Sequence, residues 1–257
     1  MVIMSTLPKK EEKKISLKGV IQISKHSFFV FRDSLGKIFL NTGKDEKLHR
    51  RIVQNMINSN PFISKILRRY HIKPLIDTKI LRELTGGHMN DTCNIAMGVY
   101  SILAESLKNE VDKDSIKEAS MLHDIGKVLI PSKIINKPAR LNTKEKKIMN
   151  IHSTLGYELL KTQSLSEDTL ALIKYHHQNW KHSGYPALPM EDKSSDVGVQ
   201  IISIADKYSA LRERRVYRHK LSRLDALLVL YKEVREGKIL PSVFNALVKY
   251  AEMYDVK

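Results

Sequence analysis

Cysteine is almost missing: the 257 residues hold one, Cys93. An internal disulfide is thereby excluded, as is any zinc module built on several thiolates, and a reducing compartment, the cytoplasm, is the simplest expectation. Glycine (11) and proline (8) are too sparse for a collagenous or low-complexity chain. No apolar run approaches the roughly 18 residues that a membrane-spanning helix needs, and the opening MVIMSTLPKKEEKK has no apolar stretch of secretory-signal length. With 42% hydrophobic residues there is material for a sizeable core, in one large domain or two smaller ones.

Acidic residues are scarce relative to basic ones. Against 44 Lys+Arg stand 28 Asp+Glu, a formal charge of +16. Residues 1–90 carry a net +11 of this and residues 91–257 a net +5. Such a charge suits nucleic acid, an anionic membrane or a phosphorylated ligand. No RNP-like run, zinc pattern or heptad supports specific nucleic-acid recognition. The asymmetry instead suggests two segments with different tasks: a basic accessory or regulatory domain over 1–80, able to meet a protein partner, and a second domain over 81–257.

The first segment mixes signals. Between Val20 and Leu40 the stretches VIQIS, SFFVF and KIFLN lean towards β structure around the turn-like Arg32-Asp33-Ser34-Leu35-Gly36, with a short helix as the alternative. Leu48, Ile52, Val53, Met56 and Ile57 recur at helical spacing; Asn58-Ser59-Asn60-Pro61 breaks that run, and Ile63, Ile66 and Leu67 begin another that Pro74 ends. From residue 88 the pattern is helical almost throughout. One helix carries Ile95 to Leu103, and the next is capped by Asp114 or Ser115 and runs to His123. Another opens at Thr143 and carries Ile148 through Leu160. Four more cover Leu170–His177, Val197–Leu211, Leu224–Val234 and Val243–Tyr254. The expected fold is mainly α, a helical bundle with a small N-terminal α or α+β accessory domain.

The ten histidines carry the chemistry. His123-Asp124 is an adjacent pair, His152 follows 29 residues later, His176-His177 is a second pair, and Asp206 stands in an Ile-Ala-Asp context. Each lies on or beside a predicted helix among apolar neighbours, where imidazoles and carboxylates are costly unless paired. A metal supplies that pairing, and a bundle can aim ligands from several helices at one interior point. Neighbouring helical residues point about 100° apart, so an adjacent His-Asp or His-His can serve two metals with a carboxylate between them. His26, His49 and His71 read as surface histidines, and His182 and His219 as surface or rim groups.

Taken in order, HDIGK from His123, Ile130-Pro131, IINKPARL from Ile134, His152 with Gly156, His176-His177, Gly184-Tyr185-Pro186, Ala205-Asp206 and Arg215 resemble the HD-GYP domain, a branch of the HD phosphohydrolase superfamily. The resemblance covers about residues 88–235. It implies an all-α bundle around a two- or three-metal centre and hydrolysis of cyclic di-GMP to linear pGpG, to GMP, or to both, through a hydroxide shared by the metals. Position by position it implies metal ligation by His123, Asp124, His152, His176, His177 and Asp206, with Asp124 bridging. It also implies phosphate contact by Lys127 and a substrate pocket lined by Tyr185 and Arg215, to which Arg218 adds charge. The chemistry is coherent, because a phosphodiester repels hydroxide. Two divalent ions neutralise its oxygens and lower the pKa of a shared water from 15.7 towards about 7. A His/carboxylate donor set without thiolate suits iron or manganese, with zinc left open.

Four positions depart from the family pattern. Its first histidine, about 32 residues before the HD pair and followed three residues later by Arg, falls on Asp91, with Asn94 at the Arg position; His88, one helical turn earlier, is the alternative ligand. The glutamate that three-metal members place four residues before that histidine falls on Gly87, which favours two metals. In the HHExxDGxGYP segment Gln178, Lys181 and His182 replace Glu, Asp and Gly, and Ser209 replaces an acidic residue. Lost outer carboxylates can cost about 10–100-fold in metal affinity or activity, and a lysine aimed at the metals would repel them. The departures motivate an alternative to the enzyme: a catalytically weak cyclic di-GMP receptor or scaffold of the same fold. A general HD hydrolase for another nucleotide is disfavoured by the intact Gly184-Tyr185-Pro186.

Overall fold

The computed structural model describes residues 55, 60–73, 87–161, 165–188, 196–213 and 220–255. The β-leaning stretches before Leu40 lie outside them; among the described residues there is no strand, and the architecture is a helical bundle. Its longer helices are α1 (Pro61–Arg69), α2 (His88–Ile102), α3 (Lys113–Leu122), α4 (Thr143–Asn150), α5 (His152–Leu160), α6 (Glu167–Tyr175), α7 (Asp196–Arg212), α8 (Arg223–Arg235) and α9 (Pro241–Tyr254). Among the described residues no helix is long and apolar enough to cross a membrane.

Polar residues begin most of these helices where the orphan N–H groups of a first turn need acceptors. Asp112, rather than Asp114 or Ser115, caps α3 by accepting from the Ser115 amide. Asn142 and Glu145 form a reciprocal capping box at the start of α4. Ser166 and Ser222 cap α6 and α8. The single helix expected over residues 143–160 is two, because the backbone bends at Ile151, the C-cap of α4. That bend starts α5 at His152.

The centre of the bundle is α2, which lies against α3, α7 and α9. Ala96, Val99, Ile116, Ala119, Ile201, Ile202, Ala205, Val243, Leu247 and Ala251 are fully enclosed there. A second layer joins α5 to α6 and to the short 3-10 turn Ile125–Leu129. Residues placed by sequence in the accessory segment share this core: Ile63, Leu67 and Ile72 are buried with it, and α1 packs on α5. Asn60, the N-cap of α1, ties the contact by donating to the Glu158 carbonyl (2.9 Å) and carboxylate (3.1 Å).

Gly126 sets the distance between the 3-10 turn and α5. A Cβ at that position would overlap the His152 carbonyl oxygen and crowd the Gly156 amide, both rigid backbone atoms. Only glycine lets the HDIGK segment lie flat on α5, which is what brings Asp124 beside His152. Gly126→Ala is therefore expected to cost at least about 1–3 kcal/mol. Thermal melts of the metal-free protein check this, and an unchanged Tm would contradict the packing.

Candidate metal centre

Asp124 is the pivot of the site. It follows α3, is 1% exposed, and its two oxygens face different partners. Oδ1 lies 3.3 Å from His152 Nε2, and Oδ2 lies 3.5 Å from His123 Nε2 and 2.5 Å from Lys127 Nζ. Around it two sets of donors converge, Asp124 with His152, His176 and His177, and Asp124 with His88, His123 and Asp206; within each set the ligand atoms lie within 4.8 Å of one another. One carboxylate thus belongs to both sets. The candidate ligands come from α2, α5, α7 and the C-terminal ends of α3 and α6.

The backbone fixes which nitrogen each imidazole offers. His123 Nδ1 lies 2.8 Å from the Ser120 carbonyl, His152 Nδ1 2.7 Å from Met149, and His176 Nδ1 2.7 Å from Ile173. A carbonyl only accepts, so each Nδ1 carries the proton and each Nε2 presents a lone pair. His152 Nε2 is 3.3 Å from His176 Nε2 and 3.1 Å from His177 Nε2. The His152 and His176 lone pairs, facing one another at this range, repel unless a cation lies between them. His123 Nε2 is buried with no hydrogen-bond partner, 3.7 Å from Asp206 Oδ1. Converging lone pairs, an orphaned buried nitrogen and a carboxylate between them fit a divalent metal centre, and the backbone carbonyls orient the ligands as outer partners do in metal sites.

The electrostatics agree. Burial holds the His152 imidazole down at about 4 and that of His177 at about 3, and burial followed by the neighbouring histidines puts His176 well below its ordinary value. All three are neutral near pH 7, the form that binds metal. Burial would also lower His123, but Asp124 and Asp206 outweigh it and raise that imidazole. Burial pushes the Asp124 carboxyl up, yet Lys127, His123 and His152 hold it well below the carboxylate range; Asp206 is held low in the same way by His123 and His88. Tyr185 is raised by burial, then by Asp124 and Asp206, so its phenol keeps the proton.

These directions predict how the metal-free protein responds to acid. In the unfolded chain His152, His176 and His177 take up protons below about 6.5, whereas in the fold His152 does so at about 4, His177 at about 3, and His176 is likewise held well below its ordinary value by burial. The unfolded state then binds more protons, and stability falls as pH drops from 6.5 towards 4, by up to about 1.4 kcal/mol per pH unit for each histidine. His123 acts with the opposite sign and only above 6.5. Melts of chelator-treated protein at pH 7, 6 and 5 should show a falling Tm; a flat profile would contradict the burial of neutral imidazoles.

Of the residues singled out in the sequence, His123, Asp124, His152, His176, His177 and Asp206 come together, with Lys127 on Asp124. Asp91 does not join them. It is exposed, its charge felt by Tyr250, and His88 takes the place that counting assigned to it. His88 Nε2 is 3.0 Å from Asp206 Oδ1, while its Nδ1 is 3.2 Å from Ser209 Oγ and 3.6 Å from Glu213 Oε2. His88 stands 35 residues before His123, three more than the family spacing of about 32, which is almost one helical turn. Counting four back from His88 gives Leu84, which is no more acidic than Gly87.

Ser209, read as a lost carboxylate, still supplies an oxygen to His88, and Glu213, four residues on and just past the end of α7, brings a carboxylate that was not singled out in the sequence. The i, i+4 spacing of Ser209 and Glu213 was the available signal. Lys181 lies away from the metal ligands: its stem rests on Gly237 beyond α8, and its charge acts on Glu236. Tyr185 stacks on His177, ring centroids 4.6 Å apart and 30° inclined. His71 and His182 are exposed, as expected of surface groups. Arg215, Arg218 and His219 lie outside the described residues, as do His26 and His49.

Comparison with known proteins follows the same lines. A family model described as HD domain matches residues 51–243. The chain is 35% identical over 139 residues to the 3'3'-cGAMP-specific phosphodiesterase 2 of Vibrio cholerae, covering 52% of this chain and 25% of that protein. It is 31% identical over 151 residues to the cyclic di-GMP phosphodiesterase of Thermotoga maritima, covering 58% and 40%. With the cyclic di-GMP phosphodiesterase response regulator RpfG of Xanthomonas campestris it shares 33% over 161 residues, covering 59% and 40%. The matched segments thus span between a quarter and two fifths of these relatives.

Proposed function

The chain belongs to the HD domain family, and from that premise we propose that it is a metal-dependent phosphodiesterase of the HD-GYP type acting on cyclic di-GMP in the cytoplasm, releasing pGpG, GMP or both. The observation that carries this reading is Asp124, whose oxygens face two converging donor sets while Lys127 donates to one of them. Two divalent ions held there, iron or manganese with zinc also compatible, would supply charge neutralisation of the phosphodiester and a water acidic enough to serve as nucleophile near neutral pH.

The remaining roles belong to the chain. His88, His123 and Asp206 would hold one ion, His152, His176 and His177 the other, and Asp124 would contribute to both sets. Lys127, about a quarter exposed, can exchange Asp124 for a non-bridging phosphate oxygen and stabilise charge as it develops there. Tyr185 offers a flat aromatic face at the rim and a phenol that donates. Arg215 and Arg218 are assigned to the second phosphate, and the basic segment over 1–80 to regulation or a protein partner. The receptor alternative drew on Gln178, Lys181 and Ser209. Lys181 turns away from the ligands, Ser209 faces His88 and Gln178 bonds the loop, which favours the enzyme.

The test is incubation of manganese- or iron-loaded protein with cyclic di-GMP and, because one relative is named for it, with 3'3'-cGAMP. Linear products are expected from cyclic di-GMP, and none after chelation. Tight binding without turnover under manganese, iron and zinc alike would overturn the proposal in favour of a receptor.

A further inference from the structure

The segment between His177 and Pro186 is a loop held at three points, and one of them is built on a residue that departs from the family pattern. Gln178 is 2% exposed. Its Oε1 accepts from the Gly184 amide at 2.9 Å, and its Nε2 donates to the Pro186 carbonyl. The two partners fix the orientation of the amide, since an N–H needs an acceptor and a carbonyl needs a donor. Between them stands Tyr185, whose amide lies 3.4 Å from the His177 carbonyl and whose ring covers the His177 imidazole.

The other two anchors lie on the outer side. Asn179 Oδ1 accepts from the Lys181 and Ser183 amides, and the Trp180 amide donates to the Lys238 carbonyl at 2.8 Å. These close the outer turn but do not touch Tyr185. Gly184 packs against the His177 carbonyl and Gln178 Cα so closely that a Cβ would overlap them. The inner half of the loop therefore has little freedom provided the Gln178 bonds hold.

We propose that Gln178 is a positioning residue, a two-sided amide clamp that seats Tyr185 over His177 and so shapes the substrate rim. A carboxylate of the same length could accept from Gly184 but would face the Pro186 carbonyl with a second acceptor. It would be buried and repelled, which opens the loop. In this chain the glutamine thus replaces the family's glutamate as a requirement of the local bonding, and restoring Glu is harmful. The inference deepens the proposed function, on which its kinetic arm rests.

The experiment is hydrogen–deuterium exchange on full-length Gln178→Glu and Gln178→Met, metal-loaded, followed through the peptide spanning 178–188. Methionine keeps the size of the side chain without a strong donor or acceptor, so the pair separates lost bonds from added charge. Exchange at the Gly184 and Tyr185 amides should speed up by about tenfold or more in both variants, the loss of one buried hydrogen bond of 1.5 kcal/mol or so. Peptides from α2 and α7 should stay at the wild-type rate, and metal content should remain at the wild-type value. With cyclic di-GMP, KM should rise several-fold while kcat changes less, since ligands and Lys127 are untouched. Wild-type protection of Gly184 in Gln178→Met, or improved KM in Gln178→Glu, would overturn the clamp. If the wild type turns over no cyclic dinucleotide, the proposed function fails while the exchange result still decides the clamp.

Discussion

Asp124→Asn is expected to lower the proposed turnover of cyclic di-GMP by more than about 1,000-fold, beyond the 10²–10³ that loss of a single oxyanion donor costs. The substitution keeps size and shape and removes one negative charge and one acceptor oxygen. Because both donor sets share this carboxylate, one substitution weakens two sites at once. The amide nitrogen left in place of an oxygen has no lone pair for a cation and must face either His152 or the His123–Lys127 side, which are 3.3 Å and 2.5–3.5 Å from the carboxylate oxygens. Metal content should fall to one equivalent or fewer, measured by elemental analysis beside the kinetics. The metal-free variant should still fold, since the core packing is untouched, and its melt separates loss of metal from loss of structure. Activity within tenfold of wild type would mean that Asp124 does not bridge.

His88→Ala is the second large effect, and it is best measured beside Asp91→Ala. The two residues sit one turn apart on α2 with opposite surroundings. His88 faces Asp206, Ser209 and Glu213, whereas Asp91 is exposed. His88→Ala removes one of four donors from one set only, so one metal equivalent should be lost and the other retained, with turnover reduced by about 100-fold or more. Asp91→Ala should leave both equivalents and keep activity within about twofold, as surface changes usually do. The reverse outcome would return the ligand to Asp91 and move α2 by nearly a turn.

How legible the fold was depended on the element. Most helices from α2 to α9 are readable because they bury one face: Ile95 and Val99 on α2, and Val243 and Leu247 on α9, recur one turn apart as burial requires. The bend at Ile151 was not, since apolar periodicity runs through it and only the N-terminal placement of His152 on α5 requires the break. The ligand residues were legible by type and adjacency: no packing need places His123-Asp124 and His176-His177 among apolar neighbours. Their partners were less so. Ser209, Gln178 and Lys181 looked like losses when compared position by position, because a pattern of residue types does not record which atoms face each other. In three dimensions Ser209 meets His88, Gln178 spans a loop, and Lys181 rests on Gly237. The larger share of the charge, the +11 before residue 91, falls mostly outside the described residues.

The account rests on one carboxylate joining two metal positions, and an anaerobic manganese titration followed by electron paramagnetic resonance tests that directly. It predicts two equivalents per chain and an exchange-coupled pair, lost in Asp124→Asn. A single equivalent, or two ions with independent signals, would contradict it.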